Sequence, residues 1–177
     1  MTAQAFAAAE LGWHDFFIAA AGASAALLGL LFVGVSINLA AITGEERVDL
    51  RARAGQAFVN LVFALVIALL MLIPDPDPRS IAVGLAVVAG LGLLSVARNL
   101  YPVLRSRTLI RNWVQIARRI GWTAIADLIL IFTAWRIWSS ADAPAIQNLV
   151  TVLFVLLIGA ADAAWEMLVE VSREQGG

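Results

Sequence analysis

The sequence of 177 residues has no cysteine and no lysine, one histidine and one tyrosine. Without cysteine there is no disulfide, no thiolate metal site and no cysteine nucleophile. One imidazole cannot supply two axial haem ligands within a chain. His14 beside Asp15 is a weak metal pair, more readily read as an interfacial cap in which Asp15 begins a helix and suits its dipole. Charge is scarce as well. Only 14% of residues are charged and the net charge is −1, where a soluble domain carries roughly 25% charged residues. No global field therefore favours nucleic acid. Also absent are GxSxG, HExxH and GxxxxGK[ST] motifs, the glycine-rich GxGD of intramembrane aspartyl proteases, and paired Asp-rich motifs of membrane prenyltransferases. The sequence thus points away from an enzyme, a metal centre and a cofactor.

What the chain has in excess is apolar side chain: 62% of residues are hydrophobic and the mean hydropathy is +0.89. One soluble core could not bury so much apolar surface, so the natural solvent is lipid. A span needs about 20 mostly apolar residues to cross roughly 30 Å of hydrocarbon. Five segments meet that requirement, at about 16–42, 55–73, 80–97, 120–138 and 145–166. The opening segment lacks the basic n-region of a cleavable secretory signal, so the first run is expected to be a span. Pro74 stops the second span, and Pro144 suits the first turn of the fifth. The expectation is an all-α, polytopic integral membrane protein, one transmembrane helical domain over 1–177. Its "WHDFF" stretch, Trp13 to Phe17, is similar to small bacterial membrane proteins. That resemblance implies the bacterial inner membrane and no particular activity.

The twelve basic residues, all arginine, set the orientation. Arg47, Arg51 and Arg53 occupy the first loop, and Arg98, Arg105, Arg107, Arg111, Arg118 and Arg119 the third. The second and fourth loops have only Arg79 and the adjacent Arg136. The positive-inside rule then places the amino terminus outside and the carboxyl terminus inside, with ten arginines inside and two outside. Within the third loop, at about 107–119, Leu109, Ile110, Trp113, Val114 and Ile116 share one helical arc, opposite Arg111, Asn112, Gln115, Arg118 and Arg119. That split predicts a basic amphipathic interfacial helix, with Arg107, Arg111, Arg118 and Arg119 toward anionic headgroups of the cytoplasmic face. The same residues also suit a plain extension of the fourth span.

Small residues at spacing four let membrane helices approach closely. The first span has two such rows, Ala21–Ala25–Gly29 and Gly22–Ala26 with Gly34 beyond, which predicts a central place or a subunit interface, and a homo-oligomer. Polar groups are few. A charge at the bilayer centre costs about 2.5–3.5 kcal/mol on insertion scales, so each needs a partner or a water path. Asp127 is the deepest, Thr123 shares its helical face, and Asn60 comes out level with it, about 16–20 Å from the outer ends at 1.5 Å per residue. Ser24, Thr133 and Thr151, nearer the outside, can bond their own helix backbone. Asp162 and Glu166 fall at the depths of Arg119 and Arg118 across the hairpin of the last two spans, which predicts two structural ion pairs.

Two functions suit this pattern. The first is a cation or proton channel or transporter whose cytoplasm-facing polar vestibule is centred on Asp127 and lined by Asn60, Asn38 and Thr123. In its structural counterpart the same groups form an interhelical hydrogen-bond set that holds the bundle in register, with Asp127 protonated or bonded to Asn60. The second function is a non-catalytic membrane module that binds a partner protein or anionic lipid through the basic amphipathic segment. The orientation is directly testable, because a cysteine-free chain carries no background thiol. Glu46→Cys should be labelled by an impermeant maleimide only from the cytoplasmic side, and Asp142→Cys only from the outside; the reverse pattern overturns the assignment.

Overall fold

The computed structural model describes residues 3–37, 48–74, 77–105, 113–140 and 144–175. All regular structure among them is α-helical: α1 (Ala3–Ile37), α2 (Val48–Leu70), α3 (Pro78–Arg105), α4 (Trp113–Ser140) and α5 (Ala145–Gln175). The chemistry behind this is simple, since a helix pairs its backbone groups within one segment and leaves none to be satisfied by lipid. Four helices contain a stretch long and apolar enough to cross a membrane: Ala8–Ile37, Arg53–Leu70, Pro78–Arg98 and Ala145–Trp165. Among the described residues the helix at the fourth expected span, α4, is not one of them; its apolar residues are interspersed with Asp127, Arg136, threonine and tryptophan.

Local signals account for the helix ends. Asp77 caps α3: its carboxylate accepts from the Ser80 backbone N–H at 3.3 Å and from the Ser80 hydroxyl at 3.2 Å. Pro78 stands at the first helical position, where a missing N–H costs nothing. Pro144 precedes α5, and its carbonyl accepts from the Gln147 N–H at 3.2 Å. At the end of α2 the chain leaves the helix through a turn before Pro74, with Leu72 N–H donating to the Leu69 carbonyl at 3.1 Å.

The helices pack in the lateral order α1, α2, α5, α4, α3, each extensively against the next. The hairpin of α4 and α5 is the antiparallel neighbour pair that its short connection implies. Consecutive α2 and α3, by contrast, touch little, and so do α2 and α4. The main apolar core runs through the half of the bundle that holds the α2–α3 and α4–α5 connections, with Ile67, Met71, Ile81, Leu85, Leu130 and Leu149 fully buried. A smaller cluster of Leu31, Ala54, Ala57, Leu61 and Ala160 joins α1, α2 and α5 toward the opposite, arginine-rich end.

Three expectations change. First, α1 lies at the edge of the bundle, not at its centre: Gly22, Ala25, Ala26 and Gly29 are on its exposed side, and only Ala21 of those rows is buried. The rows therefore do not place α1 centrally within the chain, which leaves the subunit interface as the other use expected of them. Second, Asp15 does not begin a helix. α1 starts at Ala3 with no acid in its first turn, and His14 and Asp15 are exposed within its body. Third, the chain is helical without a break from Trp113 to Ser140, so the later part of the amphipathic segment is a continuation of α4 and not a separate helix. Residues 106–112, with Arg107 and Arg111, lie outside the described residues.

The cap on α3 gives a measurable consequence. Asp77→Ala should lower stability by about 1 kcal/mol, the usual worth of a helix cap, read as a lower midpoint in thermal unfolding of detergent-purified protein; Asp77→Ser should restore most of it.

Candidate functional site

In the polar layer, two residues of α2 meet one of α4. Gln56 and Asn60 are one turn apart on α2, and both are buried. Gln56 Nε2 donates to Asn60 Oδ1 at 3.0 Å and to Thr123 Oγ1 at 2.6 Å, and the Thr123 hydroxyl donates to Asn60 Oδ1 at 3.0 Å. The three side chains close a ring. Both hydrogens of the Gln56 amide are committed, the threonine hydroxyl both accepts and donates, and one carbonyl oxygen accepts twice. Because α2 and α4 meet over a short length only, this ring is the main polar link between them.

Two groups at the ring's edge are left over. Asn60 Nδ2 and Asp127 Oδ2 are buried with no hydrogen-bond partner. Asp127 lies one turn beyond Thr123 on α4 and is 2% exposed. Its carboxylate rests against Gly92 of α3, where a Cβ would overlap it. Gly159 of α5 does similar service for Asn60. A Cβ there would stand 3.0 Å from Asn60 Nδ2 and 3.0 Å from Trp122 Cβ, tighter than ordinary contact. Two glycines therefore make room for the two polar side chains from opposite sides, Gly92 for the carboxylate and Gly159 for the amide. From the sequence, Gly159 stands out only as a small residue four before Ala163, not as room for Asn60, and Gly92 does not stand out at all. In a chain with 13 glycines, spacing alone does not distinguish the ones that meet a side chain.

Depth along upright helices placed Asn60 level with Asp127, whereas the structure pairs Asn60 with Thr123, one turn away, and sets Asp127 against Gly92. The direct Asp127–Asn60 bond of the structural alternative is not formed, since Asn60 Nδ2 has no partner. Asn38 lies outside the described residues, and so do the side chains of Arg118, Arg119 and Glu166; Asp162 is half-buried on α5. Of the hydroxyls expected to turn back on their own helix, Thr133 does so, donating to the Ile129 carbonyl at 2.7 Å, whereas the buried Ser24 Oγ has no partner. At the far end of α4, the Arg136 guanidinium lies 5.6 Å from the centre of the Phe132 ring, and Arg79 6.0 Å from that of Trp138.

One face of the layer opens outward. Gln56 also lines a cleft of about 480 Å3 between α2 and α3, with Ser95 and Arg98 of α3 near the same end. The polar ring is thus reached from the molecule's surface through one side chain. No group of three or more histidine or acidic side chains suited to a metal ion occurs among the described residues. No family model, curated protein or solved structure matches the chain, so the chemistry of these side chains is the ground for any function.

The fit of Asp127 against Gly92 can be probed by coupling. Gly92→Ala should cost about 1–3 kcal/mol as an overpacked contact. Most of that cost should vanish in an Asp127→Ala background, where the carboxylate is gone. Additive losses in unfolding experiments would refute the contact.

Proposed function

We propose that this chain is an integral protein of the bacterial inner membrane that carries protons, with Asp127 as the group that takes them up and releases them. Here α4, the fourth helix that the sequence expects to span, crosses the membrane along with the other four, the amino terminus lies outside, and the arginine-rich end faces the cytoplasm and its anionic headgroups. The observation behind the proposal is Asp127 itself: a buried carboxylate oxygen without a partner, one turn from a hydrogen-bonded ring whose outer member, Gln56, lines an open cleft. An ionisable side chain inside a membrane bundle is costly and is characteristically placed on an ion or proton path.

A proton suits the site better than a metal cation. Hard cations take six or more oxygen ligands. Asp127 rests against Gly92 of α3, and the Thr123 hydroxyl, one turn away on α4, is already engaged in the ring. A proton needs only a chain of hydrogen-bonding groups, and the orphan Asn60 amide and Asp127 carboxylate are the donor and acceptor that water would join. Beyond Asp127 the apolar core of Leu85, Leu130, Ile137 and Leu149 closes the other half of the bundle, so passage across it requires a second state in which that half opens. The exposed small residues of α1, Gly22 with Ala26 and Ala25 with Gly29, give a second copy of the chain a face for close approach.

Asp127→Asn preserves size and polarity but cannot exchange a proton. In proteoliposomes under an imposed membrane potential, proton uptake by this variant should fall to that of protein-free vesicles. Flux equal to wild type in the variant, or no flux in the wild type, removes the proposal.

A further inference from the structure

Although α2 and α3 follow one another in the chain, they leave an open cleft of about 480 Å3 between them, within the range of about 300–1,000 Å3 typical of small-molecule sites. Its walls are hydrocarbon: Phe58, Val62 and Phe63 on α2, Leu91 and Leu94 on α3. Its polar lining gathers at one end, where Arg98 and Ser95 of α3 stand with Gln56 of α2. This polar end lies toward the start of α2 and the later part of α3, the side on which the sequence clusters its arginines. The apolar walls reach roughly 10 Å further along the helices, from Arg98 to Leu91.

An occupant must match this division. It needs an apolar chain to fill the deeper part, because Leu91 and Leu94 are 54% and 57% exposed on the cleft walls. It also needs an anionic head at the rim. The exposed Arg98 guanidinium has no carboxylate partner among the described residues, and guanidinium binds phosphate through paired N–H donors. The Ser95 hydroxyl, one turn deeper on the same helix, is placed to donate to a phosphate or ester oxygen. Gln56 is not, since both its amide hydrogens are engaged in the ring. Lipid packed against a convex helix exchanges freely, whereas a concave slot with a cation at its mouth orders one molecule.

We infer that the α2–α3 cleft is a binding site for one anionic phospholipid, with an acyl chain between the helices and the phosphate on Arg98. This inference is independent of proton carriage, and its test reads lipid, not flux. The experiment is native mass spectrometry of the purified full chain equilibrated with equal amounts of phosphatidylglycerol and phosphatidylcholine. The wild type should retain one phosphatidylglycerol per chain in preference to phosphatidylcholine. Arg98→Gln should cut that preference about fivefold, the worth of one basic residue at a membrane surface, and Arg98→Lys should keep most of it. Leu94→Trp, a change at an exposed wall position that fills the slot, should lower retention of both lipids. Wild-type retention and preference in both Arg98→Gln and Leu94→Trp would overturn the site. So would a preference that survives Arg98→Gln but is lost in Arg118→Gln/Arg119→Gln, which puts the lipid on the start of α4. Displacement by water-soluble glycerophosphoglycerol as effectively as by lipid would show a phosphate site and not a lipid one.

Discussion

A polar side chain inside a bundle set in lipid has nowhere to turn for hydrogen bonds except other side chains or water drawn in from an end. The ring of Gln56, Asn60 and Thr123 answers that constraint with three residues and three bonds. Interhelical bonds of this kind are worth only about 0.6 kcal/mol on average in membrane proteins, so the ring adds little to stability in total. Its effect is on register. A shift of α4 by one residue along α2 would break both bonds to Thr123 and leave polar groups buried without partners, each costing about 1–3 kcal/mol. The penalty for misalignment thus exceeds the gain from alignment, and α4 is held at one depth although it touches α2 over a short length.

Asp127 is treated differently by the fold. The ring residues satisfy one another, yet the carboxylate one turn away keeps an oxygen without a partner. Packing alone does not call for that. A residue with a Cβ in place of Gly92 and an apolar residue in place of Asp127 would join α3 and α4 at no polar cost, like the apolar residues buried elsewhere on these two helices. Buried groups left unsatisfied in a native structure call for a specific reason. The reason proposed for Asp127 is exchange with water at one end, with the apolar core as the seal at the other.

Much of this was legible from composition and spacing alone. The helices, their proline boundaries, the apolar runs and the hairpin of α4 and α5 follow from hydropathy, proline geometry and loop length, whereas the aspartate that caps a helix is Asp77 and not Asp15. The polar depth estimate brought Asn60 and Asp127 to within a turn of each other. It could not do better, because depth was counted along upright helices and neighbouring helices cross. Gln56 was visible one turn from Asn60, but its reach was not. A long flexible side chain can bond across to α4 while lining a cleft toward α3, and only the tertiary arrangement selects both. Gly92 and Gly159 were illegible for a related reason: what makes them necessary is a side chain on another helix. The small-residue rows of α1 allowed a central place or a subunit interface, and the structure removes only the first: a helix rich in alanine and glycine shows such rows on every face, and packing within the chain uses only some of them.

Gln56 belongs to the ring and to the cleft, and its hydrogen-bond inventory determines what each can receive from it. A primary amide offers two hydrogens and one carbonyl oxygen. Both hydrogens go inward, to Asn60 and Thr123, so only the carbonyl remains for the cleft, and it can accept but not donate. A phosphate at the rim finds no donor there and must rely on Arg98 and Ser95. Water or a hydrated proton does find an acceptor. On the two proposed readings, one residue would keep the occupants of the same opening apart: anionic headgroup to the arginine of α3, proton-bearing water to the amide of α2. Charge adds to the separation, because a phosphate held on Arg98 neutralises a cation that would otherwise repel protons from the mouth of the cleft.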